Sequence, residues 1–229
     1  MHKRIIVAID GPAGAGKSTV ARAVASRLGF VYIDTGAMYR AIAWQALQDN
    51  VPLGDYSALE EIASVAEIEL EPGTGRITIN RRDVTTDIRS PEISEAASRI
   101  STVPGVRAAM VFKQRQLADT QSVVMEGRDI GTVVFPHATV KIFLDADANV
   151  RAERRIQELQ NKRVPVSASQ VTADMLERDA RDRSRAHSPL LQAPDAVYID
   201  STGLSALEVE EAILKVVRDR TANGKDVAR

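Results

Sequence analysis

The residues best suited to chemistry are Gly11, Pro12, Ala13, Gly14, Ala15, Gly16, Lys17, Ser18 and Thr19. From Gly11 to Ser18 they satisfy the spacing G-x-x-x-x-G-K-[S/T] without a mismatch. Glycine reaches backbone angles closed to other residues, so successive N–H groups in such a loop can point inward at phosphate oxygens. Lys17 is placed to reach β- and γ-phosphates, and Ser18 to offer a hydroxyl to Mg²⁺. The chemistry this predicts is binding of a nucleoside triphosphate with Mg²⁺. A glycine-rich turn that binds nothing is the bland alternative.

Three further stretches carry charge where chemistry could use it. Asp34-Thr35-Gly36-Ala37-Met38-Tyr39-Arg40 offers a hydroxyl at a helix start and an arginine further in, enough to hold a second phosphoryl group. An N-cap followed by a surface arginine explains the same residues. Glu126 closes an apolar run and is followed by Gly127-Arg128-Asp129-Ile130-Gly131. A carboxylate at that place can assist Mg²⁺, and the flanking glycines can aim Arg128 and Asp129 into a cleft. A salt-bridged loop is the alternative there. Between Arg151 and Arg185 stand nine basic and six acidic residues. Arg151, Arg154 and Arg155 share one helical face, as do Arg178, Asp182 and Arg185. Two helices and the tip Asn161–Pro165 could close over polyphosphate. They could also be a solvated surface with pairs such as Asp174–Arg178 and Glu177–Arg181.

The elements that must position these groups alternate between strand and helix. Ile5–Ile9, Ser122–Met125, Val140–Leu144 and Ala196–Ile199 are short apolar runs, with Phe30–Ile33 as a fifth. Ser18–Gly29 is expected to be a helix closed by glycine. The pattern predicts an α/β fold with a mainly parallel sheet, whose ligands bind beyond the carboxyl ends of the strands. Ile68–Glu71, Ile77–Asn80 and Asp83–Thr85 read instead as a small β insertion. Thr221–Arg229 is polar and expected to fray.

Composition narrows the class. The chain has 229 residues, a net charge of −1, 44% hydrophobic and 27% charged residues, and no cysteine. Disulfides, thiolate catalysis and cysteine zinc sites are excluded. Nothing in the charge balance argues for nucleic acid or a membrane surface. No run approaches the roughly 18 apolar residues of a membrane helix, and Ile5–Ile9 is too short for a secretory core, so a cytoplasmic protein is expected. His2, His137 and His187 show no metal spacing and read as surface or loop residues.

A phosphate loop with arginine-rich closing segments fits phosphoryl transfer, in which positioning and cations stabilise charge spreading over the moving phosphoryl oxygens. A small kinase acting on a second phosphate-bearing molecule is predicted. Asp10–Thr19, Asp34–Arg40, Glu126–Pro136 and Arg178-Asp179…Asp182…Arg185 resemble the corresponding blocks of the bacterial cytidylate kinase family, in order and over nearly the whole chain. The resemblance implies a P-loop kinase fold with ATP and CMP or dCMP as partners, Mg²⁺ as cofactor, and a monomer. It implies a core near residues 1–35, 105–150 and 190–220, a monophosphate-binding region near 36–104 with its insertion near 67–88, and a lid near 151–188. It places Thr35, Arg40 and Arg128 at the CMP phosphate, and Ser98, Arg107 and Asp129 at the cytosine. Arg178 and Asp182 would hold the ribose, Arg185 would stand near the transferring phosphoryl, and Arg154 and Arg155 would belong to the lid. Glu126 stands where some members have Asp.

Overall fold

The computed structural model describes residues 4–165 and 167–222. Five strands, β1 (Ile6–Asp10), β2 (Val31–Asp34), β6 (Val123–Gly127), β7 (Val140–Asp145) and β8 (Val197–Asp200), form one sheet in the order β2-β6-β1-β7-β8. Every pairing in it is parallel. All five predicted strands are present, displaced toward their carboxyl ends by about a residue.

Alternation along each strand sorts side chains to two apolar layers. Val7, Ile9 and Val124 face one side, where α1 (Lys17–Leu28) and α8 (Ala206–Ala222) supply Val20, Val24, Ile213 and Val217. Ala8, Val123 and Met125 face the other, against α2 (Thr35–Gln48), α4 (Pro91–Ile100) and α5 (Pro104–Leu117). Strands covered on both faces need continuous apolar runs, which the sequence has. α1 ends as predicted: Gly29 adopts φ 66° and its N–H bonds Ala25 and Ser26 carbonyls.

The β insertion is a three-stranded antiparallel sheet, β3 (Ile68–Leu70), β4 (Ile77–Ile79) and β5 (Arg82–Asp83). It follows α3 (Tyr56–Val65) and docks on α2 through Ile77 and Ile79, both buried. Arg82 lies over the Trp44 ring at 4.6 Å, fastening the insertion further. The expected lid helices are α6 (Ala148–Asn161) and α7 (Ala168–Ser184).

One expectation is corrected at the carboxyl end. Thr221 is not frayed: it is buried in α8 and its hydroxyl donates to the Val217 carbonyl at 2.6 Å. Residues 223–229 of that tail, and His2, lie outside the described residues. His137 and His187 are exposed in loops. Among the described residues no helix is long and apolar enough to cross a membrane.

Candidate active site

A cleft of about 990 Å³ opens beyond the carboxyl ends of β1, β2 and β6. Eleven cationic and five acidic side chains line it. In a protein of net charge −1 that concentration marks a site for anions.

The phosphate loop forms one wall. Gly11 has φ 149°, and a β-carbon there would stand 1.9 Å from the Leu144 carbonyl oxygen. Gly14 has φ 75° and lies under the Arg151 carbonyl. Both positions therefore require glycine. Lys17 is buried, and its ammonium donates to the Pro12 carbonyl at 2.6 Å. Burial, with Arg128 close by, pushes its pKa down to about 7. Ser18 and Thr19 are exposed to the cleft at the start of α1.

Beside the loop, Glu126 stands next to the end of β6, in register with Ile9 and Asp34. Burial and the Asp34 carboxylate push its carboxyl up, while Lys17, Ser18 and Tyr32 pull the other way. Tyr32 donates its hydroxyl to Glu126 Oε1 at 2.5 Å. The donor set of Ser18 and Glu126 is oxygen only, and the Ser18 hydroxyl bears on the Glu126 carboxyl. Both facts fit Mg²⁺, a hard cation that keeps several waters.

Asp10, absent from the sequence-predicted site, accepts the backbone N–H groups of Ile130 and Gly131 at 2.8 and 2.7 Å. It fixes the turn that follows Arg128 and Asp129. Asp34 is the N-cap of α2, accepting from the Ala37 N–H at 2.8 Å, and it also pairs with Arg40 at 3.1 Å and Arg89 at 3.6 Å. Burial pushes the Asp34 carboxyl up, but Arg40 and Arg89 outweigh it and hold it below the ordinary value. Arg89 was not foreseen; it sits in a single turn, Asp87–Arg89, with no motif around it.

The remaining predicted residues divide. Arg107 and Asp129 form a buried ion pair, with Arg107 also donating to the Ser101 carbonyl at 3.2 Å. Ser98, Arg107, Asp129, Arg178, Asp182 and Arg185 all line the same cleft. Asp182 is completely buried and holds both Arg128, at 2.9 Å, and Arg185. Burial, with Arg128 beside it, pushes Arg178 down to about 10. Buried Nε atoms of Arg40, Arg107, Arg178 and Arg185 have no partner among the described residues. Such orphaned donors are where an anion's oxygens would bind.

Other predicted residues are engaged elsewhere. The Thr35 hydroxyl donates to the Glu126 carbonyl at 2.6 Å, tying α2 to β6. Arg154 donates to Ser201, at 3.0 Å to the hydroxyl and 2.6 Å to the carbonyl, and Arg155 pairs with Glu158 at 2.7 Å. Arg151, expected on the same face, is buried and structural: it binds Asp179 at 2.6 Å and the Ala13 carbonyl at 3.1 Å. The surface pair Glu177–Arg181 forms at 2.6 Å, while Asp174 bonds Gln170 instead of Arg178.

The family model described as cytidylate kinase matches residues 7–219. A cytidylate kinase of Solibacter usitatus is 62% identical over 98% of this chain and 97% of its own length. One of Desulfitobacterium hafniense is 48% identical over 98% of this chain and 97% of its own. One of Oceanobacillus iheyensis is 44% identical over 99% and 100%. The phosphate loop, the charged turn after β6 and the arginine-bearing α7 thus occur together in a chain that belongs to the cytidylate kinase family.

Proposed function

We propose that this chain transfers the γ-phosphoryl group of ATP to CMP or dCMP, giving ADP and CDP or dCDP. The observation that carries this reading is one cleft holding an intact phosphate loop together with Ser98, Arg107 and Asp129. Membership of the family supports the same acceptor.

Each group has a role that its surroundings suit. The loop N–H groups and Lys17 hold the ATP phosphates. Arg40 and Arg128 hold the acceptor phosphate, and the unpartnered Nε atom of Arg40 supplies a donor for it. Cytosine presents one amino donor and two acceptors; the Asp129 carboxylate suits the first, and the Ser98 hydroxyl and Arg107 guanidinium suit the others. Arg178 and Asp182 hold the ribose, and Arg185 neutralises charge on the moving phosphoryl. Ser18 and Glu126 would hold Mg²⁺, which supplies neutralisation of the β- and γ-phosphate oxygens when bound. Arg154 and Arg155 line the cleft and could turn to the phosphates by exchanging their bonds to Ser201 and Glu158.

On this reading residues near 1–35, 105–150 and 190–220 are the core, 36–104 the monophosphate-binding region and 151–188 the lid. Every proposed site residue stands in one chain, so a monomer suffices. A chain without cysteine suits the reducing cytoplasm. The test is ADP release with CMP, dCMP, UMP, AMP or GMP present. Stimulation by CMP and dCMP above the others is expected. Stimulation by another monophosphate alone would redirect the acceptor assignment, and nucleotide turnover indifferent to all five would point to a nucleotide-dependent switch.

A further inference from the structure

Tyr32 stands on β2 and Glu126 on the neighbouring strand β6. The parallel register sets Tyr32 against Val124 and Asp34 against Glu126. Side chains alternate along a strand, so Tyr32, Val124 and Glu126 share the face covered by α1, with Glu126 one diagonal step from Tyr32. Across that diagonal the phenol donates to Glu126 Oε1 at 2.5 Å. The ring is itself held: it packs into the apolar layer beneath α1, and the Arg22 guanidinium lies over it at 5.3 Å.

That bond decides how Glu126 is presented. Glutamate is among the side chains with the most rotamer freedom to lose, so aiming its carboxylate needs a partner. Tyr32 engages Oε1, while the Ser18 hydroxyl and the Lys17 ammonium of the phosphate loop also act on the carboxyl. The carboxyl is thereby fixed between β2 and the loop. Packing alone does not explain the phenol, since an apolar side chain would fill the layer beneath α1 without a hydroxyl. Tyr32 is not among the residues that line the cleft, so its hydroxyl serves Glu126 rather than a substrate. Carboxylates that serve a metal ion are held by such outer hydrogen bonds, and losing one typically costs about 10- to 100-fold in metal affinity or activity.

We propose that Tyr32 is a positioning residue, whose hydroxyl holds the Glu126 carboxylate toward the Mg²⁺ of the bound nucleotide. This rests on the reading of Glu126 as a Mg²⁺ residue given above. Tyr32 itself touches neither the ion nor the reacting atoms; it acts through Glu126.

The test titrates ATP calorimetrically into the wild type, Tyr32→Phe, Glu126→Gln and the double variant, once with Mg²⁺ and once with EDTA. The ratio of the two affinities is the gain due to Mg²⁺. It is taken within one protein, so a change in the fraction folded cancels. Tyr32→Phe deletes one oxygen and keeps the ring beneath Arg22. It is expected to lower the gain about tenfold, the low end of the range for a lost outer hydrogen bond, with ATP affinity in EDTA unchanged. The Mg²⁺ concentration for half-maximal turnover should rise by a similar factor, and KM for CMP should stay at the wild-type value. Glu126→Gln should lower the gain at least as far, and the double variant no further than Glu126→Gln. An unaltered gain in Tyr32→Phe overturns the proposal. Equal weakening of ATP with and without Mg²⁺ also overturns it, because that is a loosened phosphate loop. So does a full additional loss from Tyr32→Phe in the Glu126→Gln background, because the effect is then not routed through Glu126. A wild-type gain in Glu126→Gln would instead overturn the Mg²⁺ reading of Glu126, and this inference with it.

Discussion

Gly131 donates its backbone N–H to Asp10 Oδ2 at 2.7 Å, joining points 121 residues apart in the chain. Ile130 fills the other carboxylate oxygen at 2.8 Å. Asp10 immediately precedes Gly11 of the phosphate loop, and the two donors immediately follow Arg128 and Asp129. One buried side chain therefore ties the phosphate loop to the charged turn after β6, the two walls proposed to take ATP and the acceptor. Asp10→Asn sets an amide donor against one of these N–H groups. A buried charge-assisted hydrogen bond is worth about 1.5–3 kcal/mol, so kcat/KM for CMP should fall roughly 10- to 100-fold. KM for CMP should rise more than KM for ATP, since the displaced turn bears Arg128 and Asp129. Steady-state kinetics with each substrate varied decides it; wild-type constants would mean the bond positions nothing.

The same carboxylate and its neighbour Lys17 give the nucleotide-free protein a defined pH response. Burial pushes Asp10 from its ordinary 3.8 to about 7, and pushes Lys17 from 10.5 to about 7. Between about pH 4 and 7 the folded state holds a proton on Asp10 that the unfolded chain lacks, so this group lowers stability as pH rises. Between about pH 7 and 10 the unfolded chain holds a proton on Lys17 that the folded state lacks, so this group raises stability as pH rises. Thermal melts across pH should show Asp10→Asn flattening the lower limb and Lys17→Ala the upper one. Lys17→Ala should also abolish transfer with the fold intact. Limbs that survive the substitutions would contradict the assignment of protons to these residues.

What the sequence made legible was local. The phosphate loop, the five strands, the insertion and the turn at Glu126–Gly131 each announce themselves by spacing or periodicity within a dozen residues. Ser98 and Arg107 carry no local signal; they came from the family resemblance alone. Asp10, Tyr32 and Arg89 were missed because each acts through a partner distant in sequence. Tyr32 and Glu126 are 94 residues apart, and Asp10 and Gly131 are 121. Only the parallel sheet brings such pairs together. The arginines of α6 show the converse limit. Helical spacing gives Arg151, Arg154 and Arg155 a common face, yet burial against Asp179 makes the first structural, whereas the other two line the cleft.

Asp182 is the acid on which the arginine cluster depends. It is fully buried, bonds Arg128 at 2.9 Å and pairs with Arg185, and its charge also acts on Arg178. Removing one partner of a buried pair costs about 3–5 kcal/mol, because the remaining charge is left uncompensated. Asp182→Ala should therefore lower the midpoint of a urea melt and crowd three guanidinium groups together. Inorganic phosphate should then raise the melting temperature of the variant more than that of the wild type, since an anion can replace the missing charge. Equal phosphate effects in the two proteins would show that Asp182 does not serve as the counter-ion.

The proposed base-reading role of Asp129 can be separated from phosphate binding by substitution. Its carboxylate is buried against Arg107, which in turn lies over the Tyr39 ring at 6.0 Å. This places an acceptor and a donor side by side in the cleft, away from the phosphate loop. Asp129→Ala removes the acceptor for the cytosine amino group and frees Arg107 from its partner. Loss of a buried base-to-carboxylate bond should cost kcat/KM for CMP about 100-fold or more, because a site built around hydrogen bonds discriminates strongly when one is lost. ATP affinity, measured by titration without acceptor, should change by less than threefold, since the loop and Lys17 are untouched. Equal losses for CMP and ATP would mean that Asp129 supports the cleft as a whole and does not read the base. A conservative Asp129→Asn change refines the point. The amide can still accept through its oxygen but also presents a donor, so it should recover part of the CMP rate and shift preference toward UMP, whose 4-carbonyl would receive that donor.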